Sequence, residues 1–297
     1  MSNLSIPTNN ESPFVSIGIP VYNSEATLAA AIESALAQDY VNLEILISDN
    51  ASIDNSAEIC RNFQKRDSRI IFYQQSENIG PLENFVFLLR KATGEYFKWL
   101  AADDVISNNS ISSSVNNLIN SPNNIACSVP HLFDHEARIN KKPISFRLNG
   151  PEFSRINSFF RSPGRSHGLL YSLINRNALT SYPLLSVDFF AWDWCLVVYL
   201  LSHGPMGTAQ DTYLISGSNG LSSTRSIYKH YGLTGWKRIL PLQQFTLKVI
   251  KTSSNWTISG RIFLFFKLIL LNLKNGLLEY RILRYKFSDF RKYLFHS

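Results

Sequence analysis

Short apolar runs alternate with helical segments along roughly the first hundred residues, and this order limits the chain to few folds. Three runs rich in β-branched residues are predicted strands: Phe14–Pro20, Leu43–Ile47 and Arg69–Tyr73. A segment of helical composition follows each of them, over 26–38, 55–66 and from Pro81 to before Gly94. The alternation predicts an α/β fold with a mostly parallel sheet, helices on both faces and right-handed crossovers.

Two adjacent carboxylates, Asp103 and Asp104, directly follow the apolar run 95–102. Acids at the C-terminal end of a buried strand lie where an open α/β sheet places its ligand crevice. Carboxylate oxygens suit Mg²⁺ or Mn²⁺, which usually binds one or two of them together with substrate phosphates. The pair therefore predicts a metal that holds a phosphorylated substrate. The alternative is a helix N-cap followed by a second acid that the helix dipole favours.

Further polar and aromatic residues follow the other predicted strands. Pro20 and Tyr22 come at the end of the first strand, where the tyrosine ring can stack on a base. Asp49 ends the second strand, and its carboxylate can accept hydrogen bonds from a base N–H or a ribose hydroxyl. It could instead cap the next helix. Asn78 and Gly80 follow the third strand, either beneath a nucleoside or simply as turn residues.

Four motifs with this order and spacing resemble family 2 glycosyltransferases of the GT-A fold: Val15–Asn23, Ser48–Asp54, Asn78–Gly80, and Gly94–Tyr96 through Asp103–Asp104. The match is specific over about the first 105 residues and extends weakly to about Ser223. The resemblance implies a Rossmann-like sheet flanked by helices. It also implies inverting transfer of a sugar from a nucleotide-sugar donor, usually with a divalent metal.

The resemblance assigns roles to individual residues on the donor side. Asp49 matches an aspartate that contacts the nucleotide base, commonly uracil, so a UDP-sugar is the favoured donor. The implied donor site comprises Pro20, Tyr22, Asn23, Glu25, Asp49, Asn78, Gly80, Ala102 and Asp103. Asp103 is the expected Mg²⁺ or Mn²⁺ ligand, and Asp104 either assists or caps the next helix. Ala101 stands where many relatives carry a further acid, so most of the coordination would come from diphosphate and water.

On the acceptor side, Asp193 matches the catalytic base of the family, and Asp188 is the rival base. Trp192 and Trp194 flank Asp193 at the start of a helix that runs to about Leu201. Their ring faces could stack on an acceptor sugar while hydroxyls remain for hydrogen bonds. The alternative is a helix whose tryptophans belong to the core.

A polar segment after Ile215, residues 217–225, is a predicted flexible loop. Relatives often close this region over the donor diphosphate with a basic residue or a histidine. Arg225, Lys229 and His230 are the candidates, and a merely surface-exposed role is the alternative for each.

Other functional classes find little support in the sequence. No G-x-G-x-x-G follows the first strand and no P-loop motif occurs, which disfavours dinucleotide and P-loop sites. A nucleotidyltransferase would need a glycine-rich phosphate loop near the first strand. His131 and His135 have a spacing that could hold metal on a helix, but the surrounding residues favour a hairpin. Ala101 keeps open a degenerate member that binds a nucleotide-sugar or a partner protein without catalysis.

Charge divides the chain unevenly. Residues 225–297 carry 14 basic residues against Glu279 and Asp289, a net +12, which leaves −5 for residues 1–224 of a chain with +7 overall. The predicted organisation is a disordered lead-in (1–13), a GT-A domain (14–224) and a basic, mainly helical region (225–297). The apolar segment 262–273, flanked by basic residues, suits an interfacial helix on an anionic membrane. The other interpretation is a packed helical subdomain with a solvated basic face, and the two are not exclusive. Without a recognition motif, a nucleic-acid partner is not expected.

Three cysteines far apart in sequence, Cys60, Cys127 and Cys195, indicate reduced thiols and a cytoplasmic protein. Contact with the inner face of the membrane would make it peripheral. The expected function is sugar transfer to a glycan or lipid-linked acceptor in surface-polysaccharide synthesis.

Overall fold

The computed structural model describes residues 12–133, 148–161, 167–183, 191–217, 231, 240–252, 257–258 and 260–273. Several predictions fall outside these residues: most of the lead-in (1–11), His135, the rival base Asp188, and the loop candidates Arg225, Lys229 and His230.

The described strands are β1 (Val15–Val21), β2 (Leu43–Asp49), β3 (Ile70–Gln74), β4 (Tyr96–Trp99), β5 (Val105–Ile106), β6 (Ala126–Ser128), β7 (His131–Phe133), β8 (Leu173–Asn175), β9 (Met206–Thr208) and β10 (Leu214–Ser216). Seven of them form one sheet in the order β3-β2-β1-β4-β8-β6-β9. Strands β3, β2, β1 and β4 are mutually parallel, whereas β8 runs antiparallel to β4 and to β6. A second sheet has the order β5-β10-β7.

The described helices are α1 (Leu28–Leu36), α2 (Ser56–Arg66), α3 (Pro81–Lys91), α4 (Ser110–Asn120), α5 (Glu152–Arg161), α6 (His167–Leu170), α7 (Arg176–Thr180), α8 (Trp192–His203), α9 (Gln243–Thr252) and α10 (260–273). The first three occupy the predicted positions between and after the strands. Among the described residues, no helix has both the length and the apolar character needed to cross a bilayer.

Strands β1 and β2 are buried along nearly their whole length. Such continuous burial is typical of parallel strands with helices on both faces. β1 lies between β2 and β4, and the aligned pair Val21 and Asp49 shows that β1 and β2 end at the same edge. The mostly parallel α/β sheet predicted from the alternation is therefore confirmed.

Helices α8, α9 and α10 continue the core beyond the sheet. Arg155 of α5 donates from Nε to the carbonyl oxygen of Leu201 in α8 at 2.8 Å. Trp194 of α8 packs edge-on against Phe245 of α9, with ring centroids 5.8 Å apart. Lys267 of α10 donates to Asn157 Oδ1 in α5 at 2.6 Å. The described part of the basic region thus contacts helices α5 and α8.

Candidate active site

The site lies at the edge of the sheet where β2, β1 and β4 end. Because these strands are adjacent and parallel, the loops that follow them meet there. The backbone N–H of Asn50 donates to the carbonyl oxygen of Val21, and that of Leu100 to Gly18, which fixes the loops against β1. Most of the predicted donor residues belong to these loops or to the one after β3, while Pro20 and Asp49 lie at the ends of β1 and β2.

Asp49 is the most deeply buried acid of this edge, with no exposed surface. Its Oδ2 accepts a hydrogen bond of 3.3 Å from the backbone N–H of Ser52, while Oδ1 is buried and receives no hydrogen bond from the described residues. Buried carboxylate oxygens are normally satisfied, because leaving one unpaired costs free energy. Oδ1 is therefore suited to accept a donor group from a ligand. Helix α2 begins only at Ser56, so the alternative of Asp49 as its cap is wrong.

The loop after β1 presents Tyr22, which is 50% exposed, and Pro20, near the end of β1, is half-buried. Two other predicted donor residues contact the loop after β2 instead. Asn23 Oδ1 accepts from the backbone N–H of Ile53 at 2.9 Å. Glu25 Oε2 accepts from the backbone and side chain of Asn55 at 3.0 and 2.9 Å. Both side chains therefore brace the two loops against each other, and contact between them and the donor stays a prediction.

Asn50, which the sequence analysis did not select, organises the loop after β3. Its Nδ2 donates to Asn78 Oδ1 at 3.1 Å and to the carbonyl oxygen of Gly80 at 3.2 Å. Its Oδ1 accepts from the backbone N–H of Ile79 at 2.9 Å. Gly80 has φ of 87°, which glycine adopts without strain, and Pro81 then begins α3. The sequence feature that could have identified Asn50 is its position directly after Asp49, at the end of β2.

The carboxylate pair after β4 divides into two different environments. Asp103 is partly exposed, whereas Asp104 is only 4% exposed and its Oδ1 accepts from the backbone N–H of Gly217 at 3.0 Å. The next element is β5, and α4 begins only at Ser110, so neither acid caps a helix. Ala102 contributes its carbonyl oxygen to the Thr27 hydroxyl at 2.9 Å.

Lys98 is a buried residue that interacts electrostatically with Asp104, and the sequence analysis did not select it. Its side chain is 1% exposed, and its ammonium group donates to the carbonyl oxygen of Tyr171. Burial lowers the pKa of Lys98 to about 8, although the negative charge of Asp104 and, less strongly, Cys127 act in the opposite direction. A lysine inside the apolar run 95–102 was the sequence signal, because buried lysines normally have a charged or polar partner.

Tyr171 connects the two halves of the site. Its side chain is 7% exposed, and burial raises the pKa of the phenol well above its usual range. The negative charges of Asp104, Asp103 and Asp193 raise that pKa further. Carboxylates of the predicted metal motif and the carboxylate of the predicted base therefore lie near enough to one phenol for their charges to act on its pKa.

Asp193 occupies the first turn of α8, where the helix dipole favours a carboxylate anion. Ala191, directly before the helix, has φ of 69°, a left-handed conformation that costs free energy for a residue other than glycine. Asp193 is partly exposed, as a base that meets a substrate must be.

The two tryptophans beside Asp193 pack within the protein. Trp192 is 9% exposed and meets Phe85 edge-on, with ring centroids 5.5 Å apart. Trp194 is partly buried against Phe159 and Phe245, at 6.2 and 5.8 Å. These contacts are those of core side chains, as the alternative anticipated. An acceptor role for either ring stays a prediction.

The donor set for a divalent metal is small. Among the described residues, no group of three or more His, Cys, Asp or Glu side chains could hold a metal ion. Asp103 supplies an oxygen ligand of the type that Mg²⁺ and Mn²⁺ prefer. The chemistry fits a metal that binds one protein carboxylate and takes its other ligands from a diphosphate and water.

Comparison with solved structures shows the same fold. TarS 1–349 of S. aureus, in complex with UDP-GlcNAc, superposes with a TM-score of 0.64 at 12% identity, covering 86% of this chain and 71% of TarS 1–349. The mannosyltransferase PcManGT of Pyrobaculum calidifontis, in complex with GDP-Man and Mn²⁺, superposes with a TM-score of 0.58 at 17% identity. The match covers 91% of this chain and 74% of PcManGT. The expected GT-A fold is confirmed.

Curated relatives match about a third of the chain. An uncharacterized glycosyltransferase of Haemophilus influenzae is 38% identical over 104 residues, which cover 35% of this chain and 42% of the relative. The GalNAc(5)-diNAcBac-PP-undecaprenol beta-1,3-glucosyltransferase of Campylobacter jejuni is 35% identical over 102 residues, covering 34% and 33%. Each match spans less than half of the relative's length.

The family model described as "Glycosyl transferase family 2" matches residues 16–179, which include β1 to β4, the carboxylate pair and Tyr171. This segment is more than half of the chain, so the protein belongs to glycosyl transferase family 2.

Proposed function

We propose that the protein is an inverting glycosyltransferase that moves a sugar from a nucleoside-diphosphate sugar, preferably a UDP-sugar, to a hydroxyl of a glycan or lipid-linked acceptor in surface-polysaccharide synthesis. The main support is that the charges of Asp103, Asp104 and Asp193 all act on the pKa of the Tyr171 phenol, which indicates that the donor-side carboxylates and the candidate base lie near the same side chain. Sugar transfer between two substrates requires such proximity. The family, the nucleotide-sugar complexes of TarS and PcManGT, and the undecaprenol-linked name of the Campylobacter relative agree with it.

The nucleoside end of the donor would bind against Asp49. Its buried Oδ1 accepts an N–H of the base, and the exposed ring of Tyr22 stacks on the base face. Asn50 holds the backbone of residues 78–80 in place below, so this end of the pocket is formed before the donor arrives. Uracil has a ring N–H at its hydrogen-bonding edge, and this group could donate to Asp49 Oδ1, which receives no hydrogen bond from the described residues.

The diphosphate end would lie over Asp103. A divalent metal held there would neutralise the charge that develops on the departing nucleoside diphosphate. Asp104 would have a structural role, since its carboxylate accepts a hydrogen bond from Gly217 and lies near the buried ammonium group of Lys98. The positive charge of Lys98 offsets part of the negative charge of Asp104.

Asp193 would act as the general base. Its carboxylate takes the proton of the acceptor hydroxyl while that oxygen forms a bond to the anomeric carbon. The bond between the anomeric carbon and the diphosphate oxygen breaks on the opposite face, and the nucleoside diphosphate leaves with the bonding electrons. Attack opposite the leaving group inverts the configuration.

A thermal-shift screen of nucleotide sugars, with and without Mn²⁺, tests the donor half of the proposal. A bound donor stabilises the folded state by mass action, so UDP-sugars should raise the melting temperature by several degrees in Mn²⁺. Asp49→Asn should lose this shift, and Asp39→Asn, an exposed acid on another loop, should retain it. Equal shifts for all nucleotide sugars, or none for any, would contradict the proposed donor site.

Ala101 favours a second candidate, a member of the family that binds a nucleotide-sugar without transferring it. One acid of the metal motif is absent, and Asp104 is engaged by Gly217. Release of UDP from donors that do bind, measured with water and with a panel of glycan acceptors, separates the two. Donor binding without any release favours the non-catalytic reading.

A further inference from the structure

Helix α10 has one face in the core and a wide apolar face outside it. The inward side chains are Leu264, Leu268 and Asn272, which are 2%, 0% and 4% exposed. Large apolar side chains cover the remainder and extend to Ile258: Ile258, Ile262, Phe263, Phe265, Phe266, Leu270 and Leu273 are 43% to 78% exposed. Elsewhere in the described residues, exposed apolar side chains such as Val41 and Ile119 lie on different elements, which is ordinary for a protein surface.

Two basic residues lie beside this outward face. Arg261 is exposed at the start of the helix. At about 100° per residue, Lys267 falls between Phe263 and Leu264, at one border of the outward face. The Lys267 ammonium group is bonded to Asn157 of α5, so this border lies where the helix meets the protein.

A groove of about 270 Å³ opens beside the same face. It is lined by Ile250, Ile258, Arg261, Ile262 and Phe265. One guanidinium group among four apolar side chains is a suitable environment for a phosphate group joined to a hydrocarbon chain.

The sequence around this face is entirely free of acids. None occurs between Asp211 and Glu279, and residues 225–297 carry a net +12. An anionic bilayer complements both properties, because its acyl chains take up apolar side chains and its headgroups attract Lys and Arg. A protein partner would need a matching apolar groove as well as negative charge.

We propose that the outward face of α10, together with Ile258, binds the surface of a bilayer that contains anionic lipid. Helix α10 lies parallel to the membrane, with its apolar side chains at the level of the acyl chains and with Arg261 and Lys251 at the headgroups. Leu264 and Leu268 stay in the core, so binding requires no unfolding of the helix.

Vesicle flotation of the full chain tests this, with phosphatidylcholine vesicles compared with vesicles that also contain phosphatidylglycerol. The wild type should bind the anionic vesicles, and about 0.5 M NaCl should weaken the binding. Phe266→Ser combined with Leu270→Ser should lower the apparent affinity at least about tenfold, since two apolar side chains that would enter the bilayer are lost. Arg261→Gln with Lys251→Gln should lower it for anionic vesicles only. Val41→Ser with Ile119→Ser, the matched control on other elements, should bind like the wild type.

Substitution is preferable to truncation because deletion of α10 would expose the core around Leu268. Circular dichroism and retained melting temperature establish that each variant folds. Vesicle binding that the α10 substitutions leave unchanged, or no binding by the wild type, overturns the proposal. So does a wild-type dimer in sedimentation that the Phe266–Leu270 variant abolishes, since the face would then join two copies. None of these measurements depends on sugar transfer, so the outcome is independent of the proposed function.

Discussion

The backbone N–H of Gly217 donates a 3.0 Å hydrogen bond to Oδ1 of Asp104 and joins the end of β10 to the carboxylate pair that follows β4. A Cβ atom on Gly217 would lie 2.2 Å from the carbonyl oxygen of Asp103 and 2.8 Å from its Cβ and Cγ. Only glycine allows this approach. The position of Asp103, the expected metal ligand, therefore depends on a residue more than a hundred positions away.

Gly217→Ala should displace Asp103 and weaken Mn²⁺-dependent donor binding by about tenfold or more, because misplaced ligands cost affinity. Calorimetric titration with UDP in Mn²⁺ and in chelator measures the effect. If Gly217 acts through Asp103, the double variant with Asp103→Asn should bind no more weakly than Asp103→Asn alone. Additive losses would show that Gly217 acts in another way.

Asp103→Asn and Asp104→Asn should produce different defects. Asp103→Asn should abolish the part of donor binding that needs Mn²⁺ and change stability little, because Asp103 is partly exposed. Asp104→Asn should bind the metal more nearly like the wild type but melt at a lower temperature, since Asp104 is buried and accepts from Gly217. Metal titrations and thermal melts of both variants decide this. Activity of the wild type that survives a chelator would rule out the metal altogether.

Lys98 should give the folding stability a distinct pH dependence. Its pKa falls from 10.5 in the unfolded chain to about 8 in the folded one, so between these values the unfolded state binds more protons. The free energy of unfolding should therefore rise with pH across this window, by roughly 2 kcal/mol between pH 7.5 and 9.5. Lys98→Met should lack the rise, and Lys65→Met, an exposed lysine on α2, should keep it.

Denaturant melts at several pH values measure this dependence, and Lys98→Arg provides a second variant that cannot titrate in this range. Parallel curves for the wild type and for both Lys98 variants would show that Lys98 is not the titrating group.

The sequence predicted the sheet because its signals are local. The strands before and after α1, the glycine at position 80 and the acids at strand ends depend on composition and spacing within a few residues. The parallel order then follows from the short strand–helix connections.

What the sequence could not predict arises from contacts between distant segments. The sequence offered Asp104 as an assisting metal ligand or a helix cap, yet Asp104 is buried against Gly217, whereas Asp103 is partly exposed. Trp192 and Trp194 looked like an acceptor platform, but their packing depends on Phe85 and Phe245, from helices far apart in the chain. The burial of Lys98 could not be predicted, because its hydrogen-bond partner, the carbonyl group of Tyr171, is distant in sequence and reaches β4 only in the fold.

Asp193→Asn tests the residue on which the proposed mechanism depends. Asparagine keeps the shape and much of the hydrogen bonding of aspartate at the start of α8 but cannot take a proton at neutral pH. Removal of a general base typically costs about 10² to 10⁴-fold in rate, while donor contacts made elsewhere persist. The variant should therefore bind UDP and Mn²⁺ like the wild type and transfer sugar at least about a hundredfold more slowly. Asp188→Asn is the comparison, and it should have a smaller effect. Similar transfer rates for Asp193→Asn and the wild type would eliminate Asp193 as the base, and a collapse in Asp188→Asn would move the role to that residue.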